Sequence, residues 1–186
     1  MDQLDLNTVI LAQGGDRASQ ELLWRRHRGW LTGVLMVHAP RGDEVDDLLQ
    51  EVALQFVRRL PALDKPASLP AWLRRIAVNT SRDAARRRES RPVQAGDATA
   101  DLSDLCAGEP GGGRTREILN HLAELPTRYR EPLVLRAVKG LTQEAIAEIL
   151  SISVPAVETR LSRARRMLRD RLVKEEIIPS PRETLP

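Results

Sequence analysis

The chain has 186 residues, with 29 basic and 26 acidic side chains and a formal net charge of +3. This length is sufficient for one large domain or two small ones, and it excludes a large multidomain enzyme. Aromatic residues make up only 3% of the chain, against 41% for all hydrophobic residues. A core built almost wholly from Leu, Val, Ile and Ala favours helices over strands. The composition therefore predicts an all-α protein.

Two further classes are excluded by short segments and by residue counts. No stretch approaches the roughly 20 apolar residues that span a bilayer, and Met1 to Gly15 lacks the basic start and apolar run of a signal peptide. We therefore expect a cytoplasmic protein without membrane insertion. A single cysteine and three scattered histidines give neither a disulfide nor a metal-ligand set, and we expect no metal and no cofactor: Cys106, His27, His38 and His121.

The N-terminal half carries several apolar stripes at helical spacing. From Ser19 to Val37 such residues predict one or two helices, namely Leu22, Leu23, Trp30, Leu31, Val34 and Leu35. From Val45 to Leu60 a single stripe predicts a helix that ends before Pro61, with Val45, Leu48, Leu49, Val52, Ala53, Phe56, Val57 and Leu60 facing the core. Asp43 to Glu51 holds five acids and no basic residue. Capping of the helix start and an exposed partner surface both explain that cluster.

The charge reverses in the next helical stretch. Arg74 to Arg91 contains seven arginines against two acids, and Pro92 is expected to stop the helix. Within Leu69 to Arg88, one face is apolar or small, with Trp72, Ile76, Ala77 and Thr80. We predict a helix with one buried and one basic face, in an N-terminal helical bundle.

A change of composition divides the chain. Pro92 to Gly113 is rich in Pro, Gly, Ala, Asp and Ser and has no apolar period, which predicts a flexible linker. The linker, residues 92–113, separates an N-terminal domain of residues 1–91 from a C-terminal domain of residues 114–174. Residues 175–186 form a tail. Both domains are within the size range that folds independently.

The C-terminal domain has the pattern of a helix-turn-helix. Gly140 ends one helix, and Thr142 is a candidate N-cap of the next, whose core face is Ala145, Ile146, Ile149 and Leu150. Three residues then precede a longer helix with Val154, Val157, Leu161, Ala164, Leu168 and Leu172 inward. Its outward positions are short polar residues or arginines, which suits a DNA major groove. A solvated helix on an ordinary bundle is the alternative.

Motifs in both halves of the sequence resemble those of one protein family. Gly140-Leu-Thr-Gln-Glu-Ala-Ile-Ala-Glu-Ile-Leu150, with Arg160-Leu-Ser-Arg-Ala-Arg165, is similar to region four of the bacterial extracytoplasmic-function (ECF) sigma factors of the sigma-70 family. Asp46-Asp-Leu-Leu-Gln-Glu51 resembles their region 2.2. Ala71-Trp-Leu-Arg-Arg-Ile-Ala-Val-Asn79 resembles region 2.3, which runs on into 2.4. The resemblance implies a region 2 bundle and a region 4 helix-turn-helix.

The resemblance also implies partners and residue roles. The expected partners are core RNA polymerase, through its β′ clamp coiled coil and β flap, promoter DNA, and an anti-sigma factor. The polymerase-binding residues would be Asp46, Asp47, Leu48, Gln50, Glu51 and Arg58. The minus-ten residues would be Trp72, Arg75, Asn79, Arg82, Asp83, Arg86 and Arg87. The minus-thirty-five residues would be Thr142, Ser153, Pro155, Ala156, Glu158, Thr159, Arg160, Ser162, Arg163 and Arg166.

Several alternatives stay open beside these roles. The helical spacing of Trp72 from Ile76 favours a core position over a stacking platform. A free-standing helix-turn-helix repressor or activator is the main rival function, although neither a dimer interface nor a sensor pocket is visible in the sequence. A metal-dependent nuclease is a weaker rival, because its carboxylates would have to converge on one point. We expect no enzyme activity.

Overall fold

A computed structural model describes residues 3–40, 44–90, 118 and 120–175. Its helices are α1 (Gln3–Gln13), α2 (Arg17–His38), α3 (Val45–Arg59), α4 (Leu69–Glu89), α5 (Thr127–Lys139), α6 (Gln143–Leu150) and α7 (Val154–Lys174). Two 3-10 turns, Leu60–Ala62 and Pro66–Ser68, connect α3 to α4. The all-α prediction is confirmed. The predicted linker, the tail beyond residue 175, Asp43, Arg91 and Cys106 lie outside the described residues.

Helix α1 was not predicted from the sequence, since its apolar side chains form no single stripe. Val9 and Ala12 are fully buried, while Ile10 and Leu11 are 56% and 58% exposed. The next helix begins at a clear cap, where the Asp16 carboxylate accepts a hydrogen bond of 2.8 Å from the backbone N–H of Ser19. Hydrogen bonds from the side chain and backbone of Ser19 lower the pKa of Asp16 below its usual value.

The N-terminal core lies where α2, α3 and α4 pack on one another. Phe56 is 1% exposed and stacks on Trp24 with ring centroids 6.0 Å apart. Half of the predicted α3 stripe is buried, namely Leu48, Val52, Phe56 and Leu60, and three more of its residues are half-buried, namely Val45, Leu49 and Ala53. The prediction was wrong for Val57 and for Leu22 on α2, which are 49% and 51% exposed. Helical spacing alone does not show where the edge of a buried stripe falls.

The C-terminal helix-turn-helix is formed as predicted. Gly140 ends α5 with a φ of 58°, and the Thr142 hydroxyl accepts a 3.2 Å hydrogen bond from the backbone of Ala145 at the start of α6. Ser151 makes the turn in the left-handed region, with a φ of 54°, a conformation that favours glycine. Val157, Leu161, Ala164 and Leu172 are the buried residues of α7. Val154 and Leu168 are partly buried.

The two halves pack directly against each other. Helix α5 lies on α2, and α6 lies on α4. Leu135, Ile146 and Leu161 belong to the same apolar cluster as Leu31 and Leu73 of the N-terminal half. Charged groups join the halves as well, because both carboxylate oxygens of Glu131 on α5 accept 2.7 Å hydrogen bonds from Arg74 on α4. The relative placement of the halves was not predictable from the sequence.

Candidate nucleic-acid interface

The acidic end of α3 is a solvent-exposed face. At 100° per residue, Asp46, Asp47, Gln50, Glu51 and Arg58 all project within one sector of the helix. All are exposed except Glu51, which is half-buried. Leu48 projects to the opposite side, is 5% exposed and belongs to the core. The N-cap Glu44 makes no side-chain capping hydrogen bond, and the negative charges of Asp46 and Asp47 in the first turn complement the helix dipole.

Two exposed apolar residues lie on this same face of α3. Leu54 is 58% exposed, and Val57 is 49% exposed. The helical spacing had placed Val57 in the core stripe, whereas Leu54 falls outside that stripe. The acids lie toward the N-terminal end of this face, and Leu54 and Val57 lie toward its C-terminal end. The α3 face thus offers both charged and apolar contacts, as protein-binding patches do.

The basic face of α4 is continuous along the helix. Arg75, Asn79, Arg82 and Arg86 are exposed and recur at three- and four-residue spacing, so they form one row. Trp72 is partly buried and packs on the core at the edge of this row, as its spacing indicated. Two further residues lie on the flanks of the row: Asp83 forms an ion pair with Arg86, and Arg87 reaches Glu51 of α3 at 3.1 Å. The row places positive charge where a nucleic-acid backbone can follow it.

An open cleft of about 390 Å³ lies beside this row. Trp72, Arg75 and Asn79 line one side of it, and Ser68 of the preceding 3-10 turn contributes to its wall. In the segment from Leu63 to Pro70 that leads into α4, Ser68 lies at the cleft, whereas Leu63, Leu69 and Pro70 are buried. The opposite side of the cleft is formed by Ile149, Leu150 and Ser151 of the helix-turn-helix.

The outward face of α7 carries the predicted minus-thirty-five residues. Ser153, Pro155, Glu158, Thr159, Ser162, Arg163 and Arg166 are exposed, whereas Ala156 and Arg160 are half-buried at the edge of the face. Thr142 is exposed at the start of α6 but is engaged in its capping bond. The Thr159 hydroxyl donates to the carbonyl oxygen of Pro155 at 2.9 Å, so it remains an acceptor toward a ligand.

A tyrosine that the sequence pattern did not single out holds one arginine of this face. Arg163 donates a side-chain hydrogen bond to Tyr129 of α5, and this bond lowers the pKa of the Tyr129 hydroxyl. The guanidinium of Arg128 lies over the same ring, 4.8 Å from its centroid. Tyr129 is 9% exposed, so it is a fixed anchor. Arg163 itself is exposed, so it stays accessible to a ligand.

The described residues contain neither a metal-ligand cluster nor a membrane-spanning helix. Across residues 3–40, 44–90, 118 and 120–175, no group of three or more His, Cys, Asp or Glu side chains is placed to hold a metal ion. In the same part of the chain, no helix is long and apolar enough to cross a membrane.

Comparison with known proteins covers both halves. Residues 23–91 match the family model of sigma-70 region 2, and residues 115–168 match that of sigma-70, region 4. The RNA polymerase sigma factor CnrH of Cupriavidus metallidurans is 31% identical over 187 residues, covering 90% of this chain and 95% of that protein. The ECF RNA polymerase sigma-E factor of Haemophilus influenzae is 28% identical over 180 residues, with the same two coverages.

One further relative is matched over only part of its length, and one solved structure is matched over nearly all of its length. The probable RNA polymerase sigma factor RfaY of Xanthomonas campestris is 36% identical over 138 residues, and this chain spans only 34% of its length. A solved structure of CnrH in complex with the cytosolic domain of CnrY superposes with a TM-score of 0.61 at 29% identity, covering 90% of this chain and 96% of that one.

The fold and its exposed faces define a two-part DNA-binding protein, with a basic helix row in one half and a helix-turn-helix in the other. The family matches, together with the identity to CnrH over nearly the whole chain, make the class specific. The chain belongs to the sigma-70 family, among its ECF sigma factors. It directs RNA polymerase to promoters, and its partners are core RNA polymerase and promoter DNA. Sigma factors are initiation factors rather than enzymes.

Proposed function

We propose that the exposed face of α3 docks the factor on the β′ clamp coiled coil of core polymerase. The acidic residues of this face would meet basic groups of the partner and fix the register of the two surfaces. Leu54 and Val57 would supply the apolar contact. The surface residues of this proposal are Asp46, Asp47, Gln50, Glu51 and Arg58, with Leu48 supporting them from the core. The single observation that carries it is that one helix face presents acidic side chains toward its N-terminal end and exposed apolar side chains toward its C-terminal end.

The docking proposal has a direct charge-reversal test. Asp47→Lys is the sharper variant, because Glu51 also pairs with Arg87 of α4 and its reversal would disturb a second surface. Asp64→Lys is the matched control, since Asp64 is exposed in the same half but lies off α3. We expect Asp47→Lys to weaken association with core polymerase about tenfold or more, as for a charge at a protein interface, and Asp64→Lys to leave it unchanged. Unchanged binding by Asp47→Lys would refute the assignment.

For the basic row of α4, the proposed ligand is the minus-ten element in its opened form. Holding an unpaired strand calls for cations along the backbone and a recess for an extruded base. Arg75, Arg82, Arg86 and Arg87 would contact the backbone, Asn79 would read a base in the cleft, and Trp72 and Asp83 would shape its edges. The row of arginines beside a cleft of about 390 Å³ supports this role.

Promoter opening separates a melting role of Asn79 from a structural one. Asn79→Ala should slow formation of the open complex, detected by permanganate reactivity of unpaired thymines at the start site. A template that is already mismatched there should restore the rate. Asn7→Ala, an equally exposed substitution on α1, serves as the control. If the mismatched template gives no relief, Asn79 has no role in melting.

The C-terminal domain would read the minus-thirty-five element, with α7 in the major groove, and contact the β flap. The residues proposed for this role are Thr142, Ser153, Pro155, Ala156, Glu158, Thr159, Arg160, Ser162, Arg163 and Arg166. Their common exposed face on a helix-turn-helix supports it. The division of labour between domains 1–91 and 114–174 is part of the same proposal.

Three coarser features complete the proposed function. The protein would work in the cytoplasm, where core polymerase is found, and would have no catalytic activity of its own. An anti-sigma factor is the proposed regulatory partner, on the strength of the identity to CnrH, whose solved structure includes the cytosolic domain of CnrY. Purification of the chain from its native host without stress should yield a stoichiometric partner that core polymerase displaces. Recovery of the free chain alone would refute this partner.

A further inference from the structure

One acid interrupts the basic outward surface of α7. The helix carries seven basic side chains against two acids, Glu158 and Asp170. Glu158 is the fifth residue of the helix, about 6 Å from its first residue, and its side chain is exposed. Asp170 lies about 18 Å further along the helix, near its C-terminal end. Of the two, Glu158 lies in the part of α7 that enters the major groove under the proposed function.

The local structure of α7 does not account for this acid. The first turn of the helix holds no acidic residue, and the effect of the helix dipole fades beyond that turn. The helix neighbours of Glu158 at three and four positions are uncharged: Val154, Pro155, Leu161 and Ser162. No ion pair along the helix therefore neutralises it. In the part of the chain that the structure describes, its carboxylate has no other partner.

A carboxylate on this surface weakens binding to DNA in general. The major groove is about 12 Å wide and is bordered by phosphates on both sides, so a side chain on its floor lies within about one Debye length of them at physiological salt. Like charges at such a distance repel. The repulsion is offset only where the DNA offers a hydrogen-bond donor, because an ionised carboxylate accepts and does not donate. Glu158 thus disfavours every sequence that lacks such a donor.

The donors of the major groove narrow the choice to one base. Only the amino groups of cytosine and adenine donate there. In adenine, the N6 amino group lies beside the N7 acceptor, which repels a carboxylate, whereas cytosine presents its N4 amino group without a neighbouring acceptor. A glutamate therefore pairs with cytosine. The amide of glutamine both donates and accepts, so it pairs with adenine instead.

Glu158 and Arg160 lie on opposite flanks of α7. At 100° per residue they project about 200° apart around the helix axis, with the exposed Thr159 between them. Arg160 offers donors, which match the O6 and N7 acceptors of guanine, whereas Glu158 offers acceptors. The base preferences of these two residues therefore fall at separate promoter positions.

We propose that Glu158 is a specificity-determining residue of α7, which selects a cytosine in the minus-thirty-five element by accepting a hydrogen bond from its N4 amino group. The unpaired charge of Glu158 rejects sequences with another base at that position. The inference rests on the proposed function, in which α7 lies in the major groove, and it adds the base that this residue reads.

The test is binding of the reconstituted holoenzyme to a duplex library that is randomised in the minus-thirty-five element and has a fixed minus-ten element. Glu158→Gln removes the charge and keeps the size of the side chain, and Glu158→Ala removes the hydrogen-bonding group. Asp170→Asn is the matched control, because it removes one negative charge from the exposed surface of the same helix, far from the part that enters the groove. Circular dichroism checks that every chain keeps its helicity.

The wild type and Asp170→Asn should prefer cytosine at one position by about fivefold or more, the fold-change of a mismatch that costs about 1 kcal/mol. Glu158→Gln should prefer adenine at that same position. Glu158→Ala should accept all four bases there, and it should bind the sequences without cytosine several times more tightly than the wild type does, because the repulsion is gone. The position should differ from the one that Arg160→Ala relaxes.

Variants of Glu158 that keep the wild-type preference at every position would overturn the inference, as would a uniform loss of affinity for all sequences. A wild-type holoenzyme without any base preference in the minus-thirty-five element would contradict the proposed function of α7, and this inference with it. The two failures are distinguishable, because the first leaves the wild-type preference intact.

Discussion

Arg160 and Arg163 of α7 should contribute to promoter recognition in different ways. Arg160 lies six residues, or about 9 Å, from the first residue of the helix, and Arg163 lies about 13.5 Å from it. The N-terminal part of a recognition helix enters the major groove, so Arg160 is placed to read a base. Arg163 lies farther from the helix start and is exposed, so we expect it to contact a phosphate of the backbone.

The two alanine variants should therefore differ in kind. Loss of a bidentate guanine contact in Arg160→Ala should cost about 1–3 kcal/mol and relax the preference at one promoter position. Arg163→Ala should weaken binding to all sequences alike and reduce the slope of log affinity against log salt by about 0.9. The affinity lost by Arg163→Ala should thus shrink about 3.5-fold between about 50 and 200 mM salt.

The assay is binding of the reconstituted holoenzyme to a library of minus-thirty-five sequences with a fixed minus-ten element. Titrations at several salt concentrations separate the two effects, and Arg25→Ala, an exposed change on α2, is the control. A uniform loss for Arg160→Ala with a position-specific loss for Arg163→Ala would reverse the assignment. No loss for either variant would refute the view that this face of α7 meets DNA.

Three further predictions concern stability, each measured by urea denaturation. Ser151→Gly should stabilise the protein by about 0.5–1 kcal/mol, because glycine adopts the left-handed φ of this position without strain. Gly140→Ala should destabilise it by about 1 kcal/mol, because alanine is strained at the left-handed φ of Gly140. Changes of the same sign for the two variants would contradict this reasoning. Phe56→Ala should cost about 3–5 kcal/mol, whereas Val57→Ala on the exposed side should cost under about 0.5 kcal/mol. Burial lowers the pKa of His27, although the hydrogen bond to the Leu23 carbonyl acts in the opposite direction. As the pH falls, the unfolded chain therefore binds a proton at this histidine near pH 6.5, before the folded chain does. Wild-type stability should therefore fall from pH 7.5 to 5.5 more steeply than that of His27→Gln, and parallel curves would show that His27 contributes nothing.

Most helices were predictable because their cores are regular stripes. The Gly140 stop, the Thr142 cap and the stripe of Val157, Leu161 and Ala164 identify the helix-turn-helix from local signals alone. Helix α1 was not predicted because its own apolar residues lie on all sides of the helix, so its sequence shows no amphipathic periodicity. The exposure of Val57, at the edge of the regular stripe of α3, becomes visible only when the neighbouring helices are in place.

At the candidate site, too, the local features were predictable and the contacts between distant residues were not. Residues that share a face of one helix, such as Arg75, Asn79 and Arg82 of α4, follow from spacing alone. The contacts of Glu131 do not, because Arg74 lies 57 positions away in the other half of the chain. Likewise, the bond between Tyr129 and Arg163 joins two helices whose packing no local pattern specifies. Contacts distant in sequence depend on tertiary geometry, which single-sequence patterns do not encode.

Transcription from a random promoter pool by core polymerase, with and without the chain, tests the central claim most directly. Core polymerase alone should give no promoter-specific transcripts. With the chain present, transcripts should come from a subset of templates that share two upstream elements at a fixed spacing. Binding of the chain to duplex sites without polymerase, with no transcripts gained, would contradict the claim and support a free-standing helix-turn-helix regulator.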